Sequence, residues 1–230
     1  MHLGNSWRSA AADLAVGADC AGCGTPGLGW CRACAVACRP VPRLVAGVAD
    51  VPVLAVLDNV GPAARVVVAW KDRGRLGLTD PLGRLLAVGC SLVPPAARPA
   101  LVPVPTSRAQ VRRRGADPMR LLAARAATEL RSVGIDAVPM PVLRRVRATR
   151  DQAGLGARAR GVNVEGAFAA DRSVVARCVR AGIDEVLVVD DVLTTGASVR
   201  EAVRALAAAG VRTSAVVVVA HTPRPGAAPT

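Results

Sequence analysis

The stretch Val186–Ser198, VLVVDDVLTTGAS, decides the fold. Its first four residues form a continuous apolar run, which is typical of a strand buried on both faces of a parallel sheet. Asp190 and Asp191 follow at the predicted carboxyl end of that strand, where parallel sheets bind ligands. The loop LTTGAS then enters a predicted helix and offers hydroxyls and backbone N–H groups at the positive end of the helix dipole. The stretch therefore predicts an acidic pair beside a phosphate-binding loop.

Predicted helices and strands alternate along most of the chain. This alternation indicates an α/β fold, a parallel sheet flanked by helices. Asp80-Pro81 and Asp117-Pro118 both resemble an N-cap followed by a first-turn proline. The proline-punctuated residues 39–52 are expected to be a connector into the main domain. The predicted helices cover residues 62–74, 80–92, 118–134, 172–181 and 198–209, and the predicted strands cover residues 100–104, 138–143, 185–189 and 213–220.

Two pairs of cysteines near the N-terminus predict a metal site. Cys20 and Cys23 form one CxxC pair, and Cys31 and Cys34 form the next, in CAGCGTPGLGWCRAC. Four thiolates paired in this way can converge on a tetrahedral Zn²⁺ ion. Four protein ligands leave no open position, so the predicted zinc is structural. Cys38 lies nearby, and the spacing also allows it to replace Cys34 as a ligand.

Length and hydropathy predict one large domain with a small appendage. The 230 residues contain no apolar run close to the roughly 20 residues of a membrane span. The N-terminus also lacks a signal-peptide pattern, so we expect a cytoplasmic protein. The predicted organisation is a zinc-binding segment over residues 1–45, a main domain over residues 46–222 and a disordered tail over residues 223–230. The oligomeric state is not indicated.

The charge of the chain leaves a nucleic-acid partner open. A formal net charge of +13 is typical of proteins that bind polyanions. The arginine-rich composition, with Lys71 as the only lysine, is also what a coding bias produces. One phenylalanine, three tryptophans and no tyrosine make a base-stacking surface unexpected. The positive charge therefore has two explanations, a single-stranded DNA partner or a coding bias.

The quoted motif resembles the phosphoribosyl pyrophosphate motif of type I phosphoribosyltransferases. Over nearly its whole length the chain is similar to the ComF family, cytoplasmic phosphoribosyltransferase-like proteins linked with bacterial DNA uptake in competence. The family more often reads RGFNQ where this chain has RRRGAD. The segments that carry the similarity are the two CxxC pairs, GPAARVVVAWKDRG, LVPVPTSRAQVRRRG, TRDQAGLGARARGVNVEGAF and VLVVDDVLTTGAS.

The resemblance implies a ligand, phosphoribosyl pyrophosphate with Mg²⁺, and a role for each part of the site. Asp190 and Asp191 would bind the ribose hydroxyls. The 5-phosphate would be bound by Thr194, Thr195, Gly196, Ala197 and Ser198. The leaving pyrophosphate would be handled by the loop Pro105, Thr106 and Ser107, by Arg114 within the run Arg112–Arg114, and by Lys71.

Two functions fit these residues. In the first, the chain is a phosphoribosyltransferase of nucleotide metabolism with an unknown acceptor. Cleavage of the C1–O bond gives the ribose oxocarbenium character, so Mg²⁺ and cations on the leaving group are sufficient without a strong nucleophile. In the second, the chain is a non-catalytic module that senses the same ligand and binds single-stranded DNA. The arginine-rich, glycine-interrupted residues 144–164 have no clean periodicity, and they fit a mobile loop or lid over either site as well as they fit a helix.

Overall fold

The computed structural model describes residues 19–27, 29–94, 98–147, 164–183 and 185–223. No helix in these ranges is long and apolar enough to cross a membrane. A short 3₁₀ turn, Leu76–Leu78, precedes the third helix. The helices are α1 (Arg32–Ala37), α2 (Gly61–Lys71), α3 (Thr79–Ser91), α4 (Arg108–Arg114), α5 (Pro118–Ser132), α6 (Arg172–Arg180) and α7 (Ala197–Ala207). The strands are β1 (Arg43–Val48), β2 (Val51–Asp58), β3 (Ala100–Pro103), β4 (Val138–Pro139), β5 (Leu143–Arg145), β6 (Phe168–Ala170), β7 (Glu185–Leu193) and β8 (Arg212–His221).

Six of these strands form one mixed, mostly parallel sheet in the order β1-β2-β8-β7-β3-β4. The pair β1-β2 is antiparallel, whereas β2-β8, β8-β7, β7-β3 and β3-β4 are all parallel. Strands β5 and β6 form a separate antiparallel ribbon. The predicted fold class, a parallel sheet flanked by helices, is confirmed, with an antiparallel strand added at one edge.

The sheet is buried on both faces, as the apolar run in β7 predicts. Leu187 and Val189 belong to a core shared with α2, α3 and α5. Val186 and Val188 belong to a second core shared with α7 and the β5-β6 ribbon. Successive strand residues point to opposite faces, so a strand between two cores has no polar alternation.

The connector expected over residues 39–52 is wrong, because these residues form β1 and the start of β2. Strand β1 is an edge strand, and Leu44 on it is 72 % exposed. The turn that joins β1 to β2 places Ala49 and Asp50 at positive φ, 52° and 60°. Hairpin turns of this kind usually carry Asn or Gly, which signal them in a sequence. Alanine at the first position gives no such signal.

Two helix starts were predicted from Asp-Pro pairs, and only one of them is correct. The Asp117 side chain accepts hydrogen bonds from the backbone of Met119 and Arg120, so it is the N-cap of α5 as expected. Asp80 is not an N-cap, because α3 begins one residue earlier at Thr79. Asp80 therefore lies in the first turn, where its charge still favours the helix dipole.

Several predictions concern residues outside the described ranges. The central part of the predicted lid, residues 148–163, is one of them. Most of the predicted tail, residues 224–230, and the first 18 residues of the chain are the others.

Candidate functional site

Strand β7 extends beyond its neighbour β3 and carries the acidic pair at that point. Pro103, the last residue of β3, lies opposite Val189. The strand was predicted to end at Val189, but its parallel register with β8 continues as far as Leu193. Asp190 Oδ1 accepts a hydrogen bond from the backbone N–H of Asp191, at 2.9 Å. The aspartates are therefore fixed within the strand rather than in a loop after it.

Both aspartates line a small cavity of about 80 Å³, here called the inner cavity. They belong to opposite faces of the sheet, as the strand alternation predicts, but the cavity lies across the strand and reaches both. Lys71, at the end of α2, lies 2.8 Å from Asp191 Oδ1 and 2.7 Å from Oδ2 through its Nζ atom. The other polar residues that line this cavity include Thr106, Gln110, Arg114, Arg145 and Ser198.

The charges in the inner cavity shift the pKa of two groups. Burial, followed by the charge of Asp191, raises the pKa of Asp190 to about 8, although Lys71 opposes the shift. Burial alone would lower the pKa of Lys71, but the attraction of Asp191 and Asp190 outweighs it, so the pKa is raised. At neutral pH the cavity therefore contains a charged lysine and an Asp190 that is mostly protonated.

Arg114 brings a buried cation without hydrogen bonds to the same cavity. Its side chain is 4 % exposed, and its guanidinium lies 3.6 Å from the closest carboxylate oxygen, on Asp72. None of its three guanidinium nitrogens has a hydrogen-bond partner within the described ranges. Buried polar groups normally have partners, and a guanidinium fits the oxygens of a phosphate or carboxylate in particular. This cation can therefore bind an oxyanion in the inner cavity.

Helix α4, which carries Arg114, was missed by sequence reasoning. The Ser107 hydroxyl caps this helix by accepting a hydrogen bond from the Gln110 N–H at 3.2 Å, and Gly115 ends it at a φ of 72°. The spacing of Ser107 and Gln110 matches the S-x-x-Q pattern of a capping box, and this signal could have revealed the helix.

The residues of the predicted pyrophosphate loop, Pro105 to Ser107, have different roles in the structure. Pro105 and Thr106 line the inner cavity. The Thr106 hydroxyl donates to Asp117 Oδ1 at 2.9 Å, and Ser107 is the cap of α4. The loop is thus held from both sides, with its ends fixed to the starts of α4 and α5.

The predicted phosphate loop, residues 194–198, forms the start of α7. Gly196 is the N-cap, with φ 73°, and provides no side chain to the free N–H groups of the first turn. The Ala197 N–H reaches Thr195 Oγ1 at 3.5 Å, a weak contact. Ser198 lines the inner cavity, whereas Thr194 is exposed. The first-turn N–H groups at this end of the helix suit an anion.

Gly196 is required by packing as well as by its backbone angle. A Cβ atom there would lie 3.1 Å from Cγ2 of Val48, at the tip of the β1-β2 hairpin. A larger residue would therefore disturb this hairpin before it met any ligand.

The four cysteines of the CxxC pairs converge, and their sulfurs all lie within 4.8 Å of one another. Cys23 Sγ and Cys31 Sγ are 3.7 Å apart. In a tetrahedral site with Zn–S bonds of about 2.3 Å, the sulfurs are about 3.8 Å apart. The cluster can therefore hold a structural metal ion such as zinc. Cys38 is not a member of this cluster, because it packs in the core beside α2 and α3.

Backbone N–H groups prepare the cluster for a metal. Burial raises the pKa of Cys20, but hydrogen bonds from the backbone of Cys31, Cys23 and Gly22 outweigh it and lower the pKa to about 6. Cys20 is therefore a thiolate at neutral pH, the form that metals bind. A Cβ atom at Gly22 would lie 2.7 Å from Cys34 Sγ, so only glycine fits there.

The cysteine segment is attached to the main domain through helix α2 and the turn that follows it. Arg65 Nε donates to the carbonyl oxygen of Gly22. Arg75 donates to the carbonyl oxygen of Asp19 at 2.7 Å. Trp30 packs against the same core as α2 and α3. Helix α2 therefore contacts the cysteine segment through Arg65 and the inner cavity through Lys71, its last residue.

Comparison of the sequence with protein-family models and with curated proteins found no match.

Proposed function

We propose that this chain binds phosphoribosyl pyrophosphate together with Mg²⁺, as a phosphoribosyltransferase-like protein of the ComF type. One observation carries the proposal: the buried guanidinium of Arg114, without hydrogen bonds, shares a cavity with the acidic pair Asp190 and Asp191. A ligand for this cavity needs hydroxyls for the carboxylates and an oxyanion for the guanidinium. A ribose that carries a pyrophosphate at C1 has both.

Each side chain has a defined task in this proposal. Asp190 and Asp191 accept hydrogen bonds from the ribose hydroxyls, and Arg114 binds the pyrophosphate. Lys71 neutralises Asp191 in the free protein and is close enough to meet the pyrophosphate when the ligand enters. The N-terminus of α7 receives the 5-phosphate on its free N–H groups.

Asp191 also fits Mg²⁺, which prefers oxygen ligands and is usually bound by one or two carboxylates together with substrate phosphates. Asp191 Oδ2 is buried, and Lys71 Nζ lies 2.7 Å from it. When bound, Mg²⁺ would neutralise charge that develops on the leaving pyrophosphate. Asp190, Asp191 and Lys71 then hold the sugar and balance the remaining charge.

The size of the inner cavity limits how the ligand can lie. At about 80 Å³ the cavity holds the volume of two or three water molecules, at about 30 Å³ each. We therefore place only the junction between sugar and pyrophosphate inside, with the 5-phosphate on the surface at α7.

Calorimetric titration with phosphoribosyl pyrophosphate and Mg²⁺ tests this proposal. Asp191→Asn and Arg114→Gln should each weaken binding about tenfold to a hundredfold, because each removes a charge-assisted hydrogen bond. The matched controls are Asp136→Asn and Arg98→Gln, an exposed ion pair away from the inner cavity. Equal affinity in all four variants, or no binding by the wild type, would contradict the proposal.

Binding alone does not separate an enzyme from a ligand sensor. Release of pyrophosphate in the presence of candidate acceptors would identify a transferase, whereas binding without release would favour the sensor. We also propose that the protein is cytoplasmic and that the ion in the cysteine cluster is zinc, since four thiolates fit that ion well.

A further inference from the structure

A second, larger cavity lies next to the inner cavity and has about 500 Å³ of space. This outer cavity is bounded by the end of β3, by α4 and the start of α5, and by β5. It shares Val104, Pro105, Thr106 and Arg145 with the inner cavity. Its volume falls in the range of pockets that bind small molecules, roughly 300 to 1,000 Å³.

The outer cavity has a strongly positive lining. In the part of the chain that the structure describes, five arginines and a single carboxylate, Asp117, line it. Asp117 is already fully engaged, because Oδ1 accepts from Thr106 and from the backbone at the start of α5, and Oδ2 lies 3.5 Å from Arg120. Among the described residues, no carboxylate lies within ion-pair distance of Arg108 or Arg112. An anionic ligand would therefore meet cations that the protein leaves unneutralised.

Helix α4 divides its arginines between the two cavities. Arg112 lines the outer cavity, and Arg114 lines the inner one. Residues two positions apart on a helix point to nearly opposite sides, so one short helix can serve both cavities. The run Arg112–Arg114, expected to neutralise one leaving group, thus serves two separate places.

The walls of the outer cavity are apolar and one of its cations is held rigidly. Val104 and Leu143 are buried, and Val111 and Pro141 complete an apolar wall. Arg145 donates to the carbonyl oxygen of Pro105 at 3.1 Å, and its guanidinium lies 5.2 Å from the ring centroid of Phe168. An apolar wall beside fixed cations suits a ligand that combines a ring with a charged group.

We propose that the outer cavity is a second binding site, which takes a small molecule that carries a planar ring and a phosphate or carboxylate group. The ring packs on the apolar wall, and the oxyanion meets the guanidinium groups of Arg108, Arg112 and Arg144. This proposal goes beyond the proposed function and stands on the outer cavity alone.

Calorimetry with phenyl phosphate tests the second site without a ribose that the inner cavity could bind. Benzoate offers a carboxylate on the same ring, phenol offers the ring without charge, and inorganic phosphate offers the charge without the ring. Phenyl phosphate or benzoate should bind more tightly than phenol and inorganic phosphate, since only they use both wall and cations. The better binder of the two identifies the anionic group.

Variants locate the bound molecule. Arg112→Gln should weaken binding of phenyl phosphate about tenfold, as expected for one charge-assisted contact. Arg112 is exposed, so the fold should be preserved. Arg98→Gln, a remote exposed arginine, should leave this affinity unchanged. Arg112→Gln therefore tests the second site, whereas Arg114→Gln tests binding of phosphoribosyl pyrophosphate in the inner cavity, so the two proposals can fail independently.

Three outcomes would overturn the second site. The first is equal binding of phenyl phosphate by wild type and Arg112→Gln, or no binding at all. The second is complete competition by phosphoribosyl pyrophosphate with Mg²⁺, which would make the outer cavity part of the donor site. The third is binding of a thymidine oligonucleotide, with a steep salt dependence, while all four small probes fail, because this would identify a nucleic-acid surface instead.

Discussion

At the scale of single residues, two neighbouring aspartates meet different surroundings. Asp191 is 2 % exposed and is paired with a lysine, which offsets the cost of burying its charge. Asp190 is 8 % exposed and faces the other side of the sheet. Burial and the neighbouring carboxylate of Asp191 raise the pKa of Asp190, so its neutral form is favoured.

The raised pKa of Asp190 predicts a pH-dependent stability. Because the folded-state pKa is about 8 and the unfolded value is about 3.9, the folded protein binds the extra proton and loses stability as pH rises between these values. Asp190→Asn removes this group. The variant should therefore gain stability relative to the wild type as pH rises towards 8, with a plateau above it.

Urea unfolding of wild type and Asp190→Asn between pH 6 and 9 measures this difference. Asp136→Asn, exposed and remote from the inner cavity, is the control and should show no such trend. A difference between wild type and Asp190→Asn that is independent of pH would show that Asp190 is charged throughout this range.

At the scale of elements, the packing of α3 on the sheet depends on a glycine. A Cβ atom at Gly89 would lie 2.6 Å from Val217 Cγ1 on β8 and 2.8 Å from Val56 Cγ2 on β2. Both valines are fully buried in the core between the sheet and α3. Helix α3 therefore approaches the two strands as closely as it does because this position has no side chain.

Gly89→Ala should destabilise the protein by about 1 to 3 kcal/mol, because an added methyl group overpacks a dense core. Helix propensity alone predicts the opposite, a gain of about 1 kcal/mol for alanine over glycine. Chemical denaturation gives the sign directly. Val88→Ala, at the adjacent and more exposed position, should cost less than Gly89→Ala; a stabilised Gly89→Ala variant would mean that α3 lies farther from the sheet.

At the scale of the whole molecule, the cysteine cluster is attached to the sheet domain rather than suspended beside it. Arg65 and Arg75 each bond to a backbone carbonyl of the cysteine segment. Cys38, immediately after α1, packs in the main core. The metal should therefore fix a segment that covers part of α2, without being needed by the sheet itself.

Metal analysis under reducing conditions tests this arrangement. The purified protein should contain one zinc per chain, as expected of a site with four thiolate ligands. Cys34→Ala should lose most of the metal, whereas Cys38→Ala should retain it, although both side chains are buried. Circular dichroism should show that the sheet stays folded in Cys34→Ala. Loss of zinc in Cys38→Ala alone would place that sulfur among the ligands.

The sequence by itself predicted the features that depend on local pattern. The apolar run of β7, the amphipathic helix after it and the Asp117 cap of α5 each follow from residues a few positions apart. The spacing of the CxxC pairs predicted the four-cysteine cluster for the same reason, since each pair is closed within one short turn. These features need no knowledge of the rest of the chain.

Only the tertiary structure decided which distant residues meet. The pairing of Lys71 with Asp191 joins residues 120 positions apart, and no local pattern carries that information. Arg112 and Arg114 likewise line two different cavities, which their positions in the sequence do not indicate. Cys38 packs in the core rather than with the other cysteines. Long-range packing sets these contacts, because burial depends on how elements assemble and not on the order of residues within each.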